Sequence, residues 1–110
     1  MENFVVDKEW VAKNYHGEAN FVVPEGATAI YKNAFHDCES LTSIHIPEGV
    51  TKIGRYAFVH CKSLTSIHIP DGVTEIGEEA FKNCDKLTIR CNKKSYAERY
   101  AKFHRIPVEN

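Results

Sequence analysis

Apolar and polar residues alternate in the stretch LTSIHIP, which occurs twice in the chain. In its first copy Ile44 and Ile46 alternate with polar residues such as His45, which is the period of a β-strand with one buried face. Pro47 then removes a backbone hydrogen-bond donor, and Gly49 tolerates a positive φ. The pattern therefore predicts a short strand that ends in a tight corner.

The residues after this corner follow a different spacing. Ile53, Ala57, Phe58 and Cys61 lie at positions i, i+4, i+5 and i+8, which predicts a short helical or 3₁₀ segment with one apolar stripe. A strand, a corner and a helical turn thus form one unit, and its apolar groups lie on one side. Such a unit cannot bury that side alone.

The unit is repeated in tandem every 23 residues. Residues 41–63 and 64–86 are identical at 15 of 23 positions, and residues 18–40 match 41–63 at 9 of 23. The apolar positions, the Pro-acid-Gly corner and the Ala-Phe pair are retained, whereas most positions that change are polar or charged. Self-similarity at a fixed period of this length indicates a repeat architecture.

Stacking the three repeats buries the apolar side of each one. At the ~4.8 Å spacing of adjacent strands, equivalent residues form ladders and the strands form a parallel sheet. We therefore expect an α/β repeat solenoid. The expected ladders are Phe21–Ile44–Ile67, Val23–Ile46–Ile69, Ile30–Ile53–Ile76, Ala34–Ala57–Ala80, Phe35–Phe58–Phe81 and Cys38–Cys61–Cys84.

The pattern L-x-x-I-x-I-P-x-G-V-T-x-I-G-x-x-A-F-x-x-C-x-x resembles the BspA-like, or Treponema-type, leucine-rich repeat. This resemblance implies a short leucine-rich-repeat array with a parallel strand ladder and a cap at each end. FVVDKEWVAKNYHG is similar to the hairpin that often opens such arrays. KLTIRCNKKSYAERYAKFHRIPV is similar to the usual closing segment, in which a truncated strand leads into a short helix and a final extended piece.

The closing helix is also indicated by local signals. Ser95 and Glu98 have the spacing of a capping box, and Pro107 prevents the helix from continuing. We therefore divide one structural domain into an opening cap at 1–17, repeats at 18–86 and a truncated strand with a helical cap at 87–110.

Composition adds limits to this picture. The 110 residues carry 14 Lys and Arg against 15 Asp and Glu, so the net charge is -1 and nothing favours nucleic acid as a partner. No stretch has the ~20 apolar residues of a membrane span, and charges within residues 1–11 argue against a signal peptide. The resemblance, in contrast, implies a secreted or cell-surface protein that engages host or matrix proteins. Because these two indications disagree, the sequence leaves the cellular compartment open.

Candidate chemistry is sparse. Cys38, Cys61 and Cys84 recur on the apolar stripe and lack paired metal-ligand spacing, so we interpret them and Cys91 as buried, reduced and structural. His45 and His68 are neighbours that face outward, and a metal would need a third ligand that the flanking Val22 and Arg90 do not supply. Catalytic motifs are absent from the sequence, and we expect neither enzyme activity nor a cofactor.

The exposed face of the strand ladder is the candidate partner-binding surface. We expect a non-catalytic protein–protein interaction module, and two alternatives remain open: an assembly unit that forms oligomers through sheet edges or caps, and a small free-standing inhibitor. Flat sheet faces with rings suit protein recognition. The candidate residues form two files, Asn20, Ser43, Ser66 and Thr88 in one and Val22, His45, His68 and Arg90 in the other.

Overall fold

The computed structural model describes residues 2–110, which form a stack of parallel strands closed by one helix at each end. Nine short strands and two helices follow one another along the chain. Their bounds are β1 Phe4–Val6, α1 Lys8–Asn14, β2 Asn20–Val22, β3 Ala27–Ile30, β4 Ser43–His45, β5 Lys52–Ile53, β6 Ser66–His68, β7 Glu75–Ile76, β8 Thr88–Arg90, α2 Tyr96–Phe103 and β9 Val108–Glu109.

The strand ladder is a parallel sheet in the order β2-β4-β6-β8-β9. Ile44 pairs with Phe21 on one side and with Ile67 on the other, which is the 23-residue register expected from the repeat. Ile89 of the truncated strand continues the same row. The repeat solenoid and its parallel ladder are thus confirmed, and each repeat forms one coil of the solenoid.

The segment after each corner begins with a second strand, which the prediction of a helical or 3₁₀ segment missed; hydrogen bonds of the 3₁₀ type, such as Ala57 N to Gly54 O at 3.2 Å, close only the separate turns that follow it. β3, β5 and β7 form a second parallel sheet with β1, and Ile30, Ile53 and Ile76 occupy equivalent positions in it. Consecutive turns follow each of these strands, at 32–37 in the first coil. A regular helix cannot form there because alternate backbone N–H groups donate to the next coil.

The core lies between the two sheets and consists of the expected ladders. The rings of Phe35, Phe58 and Phe81 stack with centroid separations of 5.2 and 5.5 Å and are nearly parallel. Two members of the ladders differ from expectation, because Phe21 and Cys38 are only partly buried. Both belong to the first coil, where the opening cap takes the place of an earlier repeat and covers these two side chains only in part.

The opening cap is a strand and a helix, so the expected hairpin is wrong. β1 pairs in parallel with β3, and Asp7 is the N-cap of α1, where its side chain accepts a hydrogen bond from Trp10 N at 2.8 Å. Asp7 therefore begins a helix instead of a reverse turn. The rings of Trp10 and Tyr15 pack against Phe21 as a lid on the first coil.

The closing cap has the expected helix and final extended piece. Ser95 is the N-cap of α2, and its Oγ accepts a hydrogen bond from Glu98 N at 3.1 Å. The second hydrogen bond of the expected capping box differs, because the Glu98 carboxylate accepts from Lys94 N and not from the N-cap Ser95 N. After α2 the chain returns as β9, which pairs in parallel with β8.

Neither helix within residues 2–110 has the length and apolar character needed to cross a lipid bilayer.

Candidate functional site: the ladder face

The outward face of the sheet β2-β4-β6-β8-β9, which we call the ladder face, brings together all eight candidate residues. Strand pairing aligns Asn20 with Ser43, Ser43 with Ser66, and Ser66 with Thr88. The second file aligns Val22, His45, His68 and Arg90 in the same way. Both files exist because positions two apart on a strand point to the same side, and the 23-residue register superposes the strands.

The second file is the more exposed of the two. Val22 is 66% exposed, and His45 and Arg90 are also exposed, whereas His68 is half-buried. In the first file Ser43, Ser66 and Thr88 are half-buried. Together the two files border a shallow depression of about 150 Å³. Rings and an aliphatic side chain are therefore available on a surface that the core does not use.

The two histidines form a face-to-face pair. Their ring centroids are 4.5 Å apart, and the ring planes differ by only 3°. His68 Nδ1 is shielded from solvent and has no hydrogen-bond partner among residues 2–110. The pair is held in this arrangement by strand register alone, because the equivalent residues lie on adjacent strands.

The environment of His68 disfavours its charged form. The pKa of His68 lies below its usual value of 6.5, because burial penalises the imidazolium and the nearby His45 ring adds repulsion when charged. At neutral pH the His68 ring is therefore uncharged where it stacks on His45. Acidification places positive charge at a partly buried position between His45 and Arg90.

This shift makes stability depend on pH. The unfolded chain binds a proton at His68 more readily than the folded chain, so stability present above pH 6.5 is lost as the pH falls through the lower folded-state pKa. We expect urea denaturation at pH 7.5 and 5.0 to show a smaller loss of stability for His68→Gln than for the parent chain. Equal losses in the two proteins would contradict the assigned role of His68.

The lower end of the file contains a residue that the sequence did not point to. Glu109 of β9 is aligned with Arg90, and its Oε1 lies 3.0 Å from Arg90 Nε. Both side chains are well exposed, so this ion pair contributes little to stability. The ion pair changes the surface charge instead, because Glu109 offsets the positive charge that Arg90 brings to the ladder face.

The upper end of the first file is fixed by side-chain hydrogen bonds. Ser43 Oγ donates to Asn20 Oδ1 at 2.6 Å, and Thr42 Oγ1 donates to the carbonyl of Ala19 at 2.9 Å. These bonds tie the first strand of the ladder to the second.

No group of three or more His, Cys, Asp or Glu side chains within residues 2–110 is arranged to hold a metal ion. Val22 and Arg90 flank the histidine pair, as expected from the sequence.

The four cysteines are free thiols, and two of them form hydrogen bonds between coils. Cys61 Sγ donates to the carbonyl of Phe35 and Cys84 Sγ to that of Phe58, each at 3.0 Å, so these thiols join successive coils. Hydrogen bonding with Cys38, then with Cys84, and burial raise the pKa of Cys61, which disfavours the nucleophilic thiolate. The expected burial holds for Cys61, Cys84 and Cys91, whereas Cys38 is half-buried.

Comparison with known proteins agrees with this architecture. The model of the "BspA type Leucine rich repeat region (6 copies)" family matches residues 14–101. A leucine-rich repeat protein from T. pallidum has a solved structure that is similar with a TM-score of 0.66 and 29% identity, over 69% of this chain and 42% of that one. This chain thus spans less than half the length of that relative.

A leucine-rich cell-surface protein from Faecalibacterium prausnitzii is also similar, with 30% identity over 66% of this chain and 26% of that one and a TM-score of 0.47. A search of curated proteins gives no match. Leucine-rich repeat families are in general protein-interaction modules built on non-enzymatic scaffolds. With two ladders in a 23-residue register and a family match over most of its length, the chain belongs to the BspA-type leucine-rich repeat family.

Proposed function

We propose that this protein is a non-catalytic module that binds another protein through the ladder face. The observation that carries the proposal is the stacked His45–His68 pair, which lies in the middle of the second file, with His45 exposed and His68 half-buried, and has no part in the core. Val22 extends the file with an exposed aliphatic side chain, and Arg90 with a charge. Aromatic and arginine side chains near the centre of a protein interface are enriched among the residues that dominate its binding energy.

Replacing His45 and His68 together by alanine tests this proposal. Because neither ring fills the core, we expect the melting temperature to change by no more than about 2 °C, within the usual range for surface substitutions. Binding to a protein partner is expected to weaken strongly, by about 2 kcal/mol or more if the pair is central to the interface. The measurement compares the proteins retained from an extract by the immobilised parent chain and by the variant.

A matched control has the same number of substitutions on another surface. Lys52 and Glu75 lie opposite each other on the adjacent strands β5 and β7 of the second sheet, and their side chains form an exposed pair at 3.7 Å. Lys52→Ala with Glu75→Ala is expected to leave the retained proteins unchanged. If the control variant loses its partners while the histidine variant keeps them, the binding surface lies on the other side of the solenoid.

Self-assembly is a second candidate function, favoured by the open ends of the sheets. β2 and β9 are the terminal strands of one sheet, and β1 and β7 of the other. Terminal strands present backbone groups to which another chain can pair. Light scattering separates the two functions, since a 12.5 kDa species argues against assembly and a dimer that persists on dilution supports it.

An inhibitor would use the same ladder face and differ only in having an enzyme as its partner. If a retained protein is an enzyme, an activity assay with and without the parent chain distinguishes inhibition from simple binding. The histidine variant serves there as the control that should no longer inhibit.

A further inference from the structure

In each coil a run of turns follows the strand of the second sheet. Backbone hydrogen bonds join the turns of one coil to the turns of the next. In each row three alternate N–H groups of one coil donate to three alternate carbonyls of the next. The first row is Asn33 N to Arg55 O at 3.1 Å, Phe35 N to Ala57 O at 2.7 Å and Asp37 N to Val59 O at 2.8 Å; the second is Tyr56 N to Glu78 O at 3.3 Å, Phe58 N to Ala80 O at 2.8 Å and His60 N to Lys82 O at 2.8 Å.

The last coil has the same row of donors without acceptors. Glu79, Phe81 and Asn83 are the equivalent residues, and their N–H groups find no backbone acceptor among residues 2–110. The closing cap completes other parts of the last coil, since Cys91 N donates to Glu109 O at 3.1 Å and Ile76 N to the Tyr96 hydroxyl at 3.4 Å. The cap thus adds a strand to one sheet, accepts a single hydrogen bond from the last strand of the other, and leaves this row open.

A groove of about 550 Å³ runs beside the open row. The turn from Gly77 to Lys82 forms one wall, and Tyr100, His104 and Ile106 of the closing cap form the other. The Phe81 ring contacts Tyr100 edge-on, with centroids 6.2 Å apart. Open backbone donors beside an apolar wall are features that bind the backbone of an incoming peptide segment.

We propose that this groove binds a glycine- and alanine-rich segment of another protein, which adopts the same run of turns as residues 55–60 so that its alternate backbone carbonyls complete the open row. The site is separate from the ladder face, so it adds a second binding surface to the proposed function. Backbone hydrogen bonds supply the attraction, and the space between the turn and α2 selects small side chains.

The solenoid itself shows which segment fits. In both occupied rows the middle acceptor is an alanine, Ala57 or Ala80, and both are fully buried, so a larger side chain does not fit there. The neighbouring residues Tyr56 and His60 have φ values of 58° and 62°. Glycine adopts such angles more readily than other residues, so it is favoured at these positions of an incoming segment. The position equivalent to Phe58 must also be small, because Tyr100 occupies the corresponding space.

A second copy of the chain is a poorer fit to this groove. The carbonyls of its first coil lie behind the opening cap, where Tyr15 packs against Phe35 with centroids 6.1 Å apart. Tyr100 covers Phe81 in the same way at the other end. Both caps would have to move before the two coils could meet, whereas a short segment with small side chains needs only the groove that is already present.

The test is an NMR titration of the full chain with the acetylated, amidated peptide Lys-Gly-Ala-Ala-Lys-Gly. We expect saturable shifts at the amides of Glu79, Phe81 and Asn83. Their hydrogen exchange should slow about tenfold when the peptide concentration is ten times its Kd. The equivalent amides of the middle coil are the internal control, since their acceptors are already in place. Absence of shifts at the three amides up to millimolar peptide would overturn the proposal.

Two further controls make the result specific. A peptide with valine in place of the first alanine is expected to bind at least about tenfold more weakly, and equal binding would contradict selection by size. His104→Trp narrows the groove and should weaken binding, whereas Phe103→Trp, at a position 83% exposed and outside the groove, should not. Concentration-dependent shifts of the same amides without peptide would indicate a second copy as the occupant and overturn the proposal.

Discussion

Replacing Phe58 by alanine is expected to lower the free energy of unfolding by about 3–5 kcal/mol. Phe58 is fully buried and lies between Phe35 and Phe81, so its removal leaves a cavity in the middle of the ring ladder. Neither neighbouring ring can fill this space, because each is held by its own coil. A domain of this size is stable by about 5–15 kcal/mol, and the loss is therefore a large part of the total.

Urea denaturation of the parent chain and the variant measures this effect. Phe103→Ala is the matched control, because Phe103 is also a phenylalanine but is 83% exposed on the closing helix. The control is expected to change the stability by less than about 0.5 kcal/mol. Similar stability losses in the two variants would show that the ring ladder is not the centre of the core.

Gly77→Ala is expected to have the second large effect. A Cβ at Gly77 would lie 2.4 Å from the backbone N of Arg55 and 2.7 Å from the carbonyl carbon of Gly54. Backbone atoms of the preceding coil cannot yield as a flexible side chain can, so the coils must separate locally. We expect a loss of about 1–3 kcal/mol, as for overpacking of a close-packed site, measured by urea denaturation.

Gly72 provides the control for this prediction. A Cβ there meets only the carbonyl oxygen of Val50 at 3.6 Å, which is an ordinary contact, and its φ is not in the left-handed region. Gly72→Ala is therefore expected to be neutral or to stabilise the protein by about 0.4–1 kcal/mol through the unfolded state. A stable Gly77→Ala variant would mean that the coils are less tightly stacked than the structure shows.

The same close approach explains a difference between the repeats. Gly54 and Gly77 each lie against the backbone of an earlier coil, but the equivalent residue of the first coil is Tyr31. Tyr31 N donates to Val6 O at 2.8 Å. Val6 is the last residue of β1, and after it the chain enters α1 instead of forming a full turn beneath position 31. A side chain is therefore allowed at position 31, and the tyrosine remains 47% exposed.

The sequence by itself determined the register, the main core ladders and the ladder face. Tandem repetition places equivalent residues on adjacent strands, so Phe35, Phe58 and Phe81 must stack if the repeats stack at all. The same argument brings His45 against His68 on the outer side. These features follow from the period alone, and they need no knowledge of how the ends of the chain fold.

The tertiary structure alone decided the second sheet and both ends. Two-residue strands such as β5 are too short to show a period, and they exist because the next coil supplies their hydrogen bonds. Asp7 is compatible with a turn or with a helix N-cap, and packing of Trp10 on Phe4 accompanies the helix. Glu109 reaches Arg90, and the donors of Glu79, Phe81 and Asn83 stay open, because the closing cap returns over one sheet and leaves the turns uncovered. Contacts of this kind depend on where a non-repeating segment lies in space, and neither periodicity nor local propensity encodes that position.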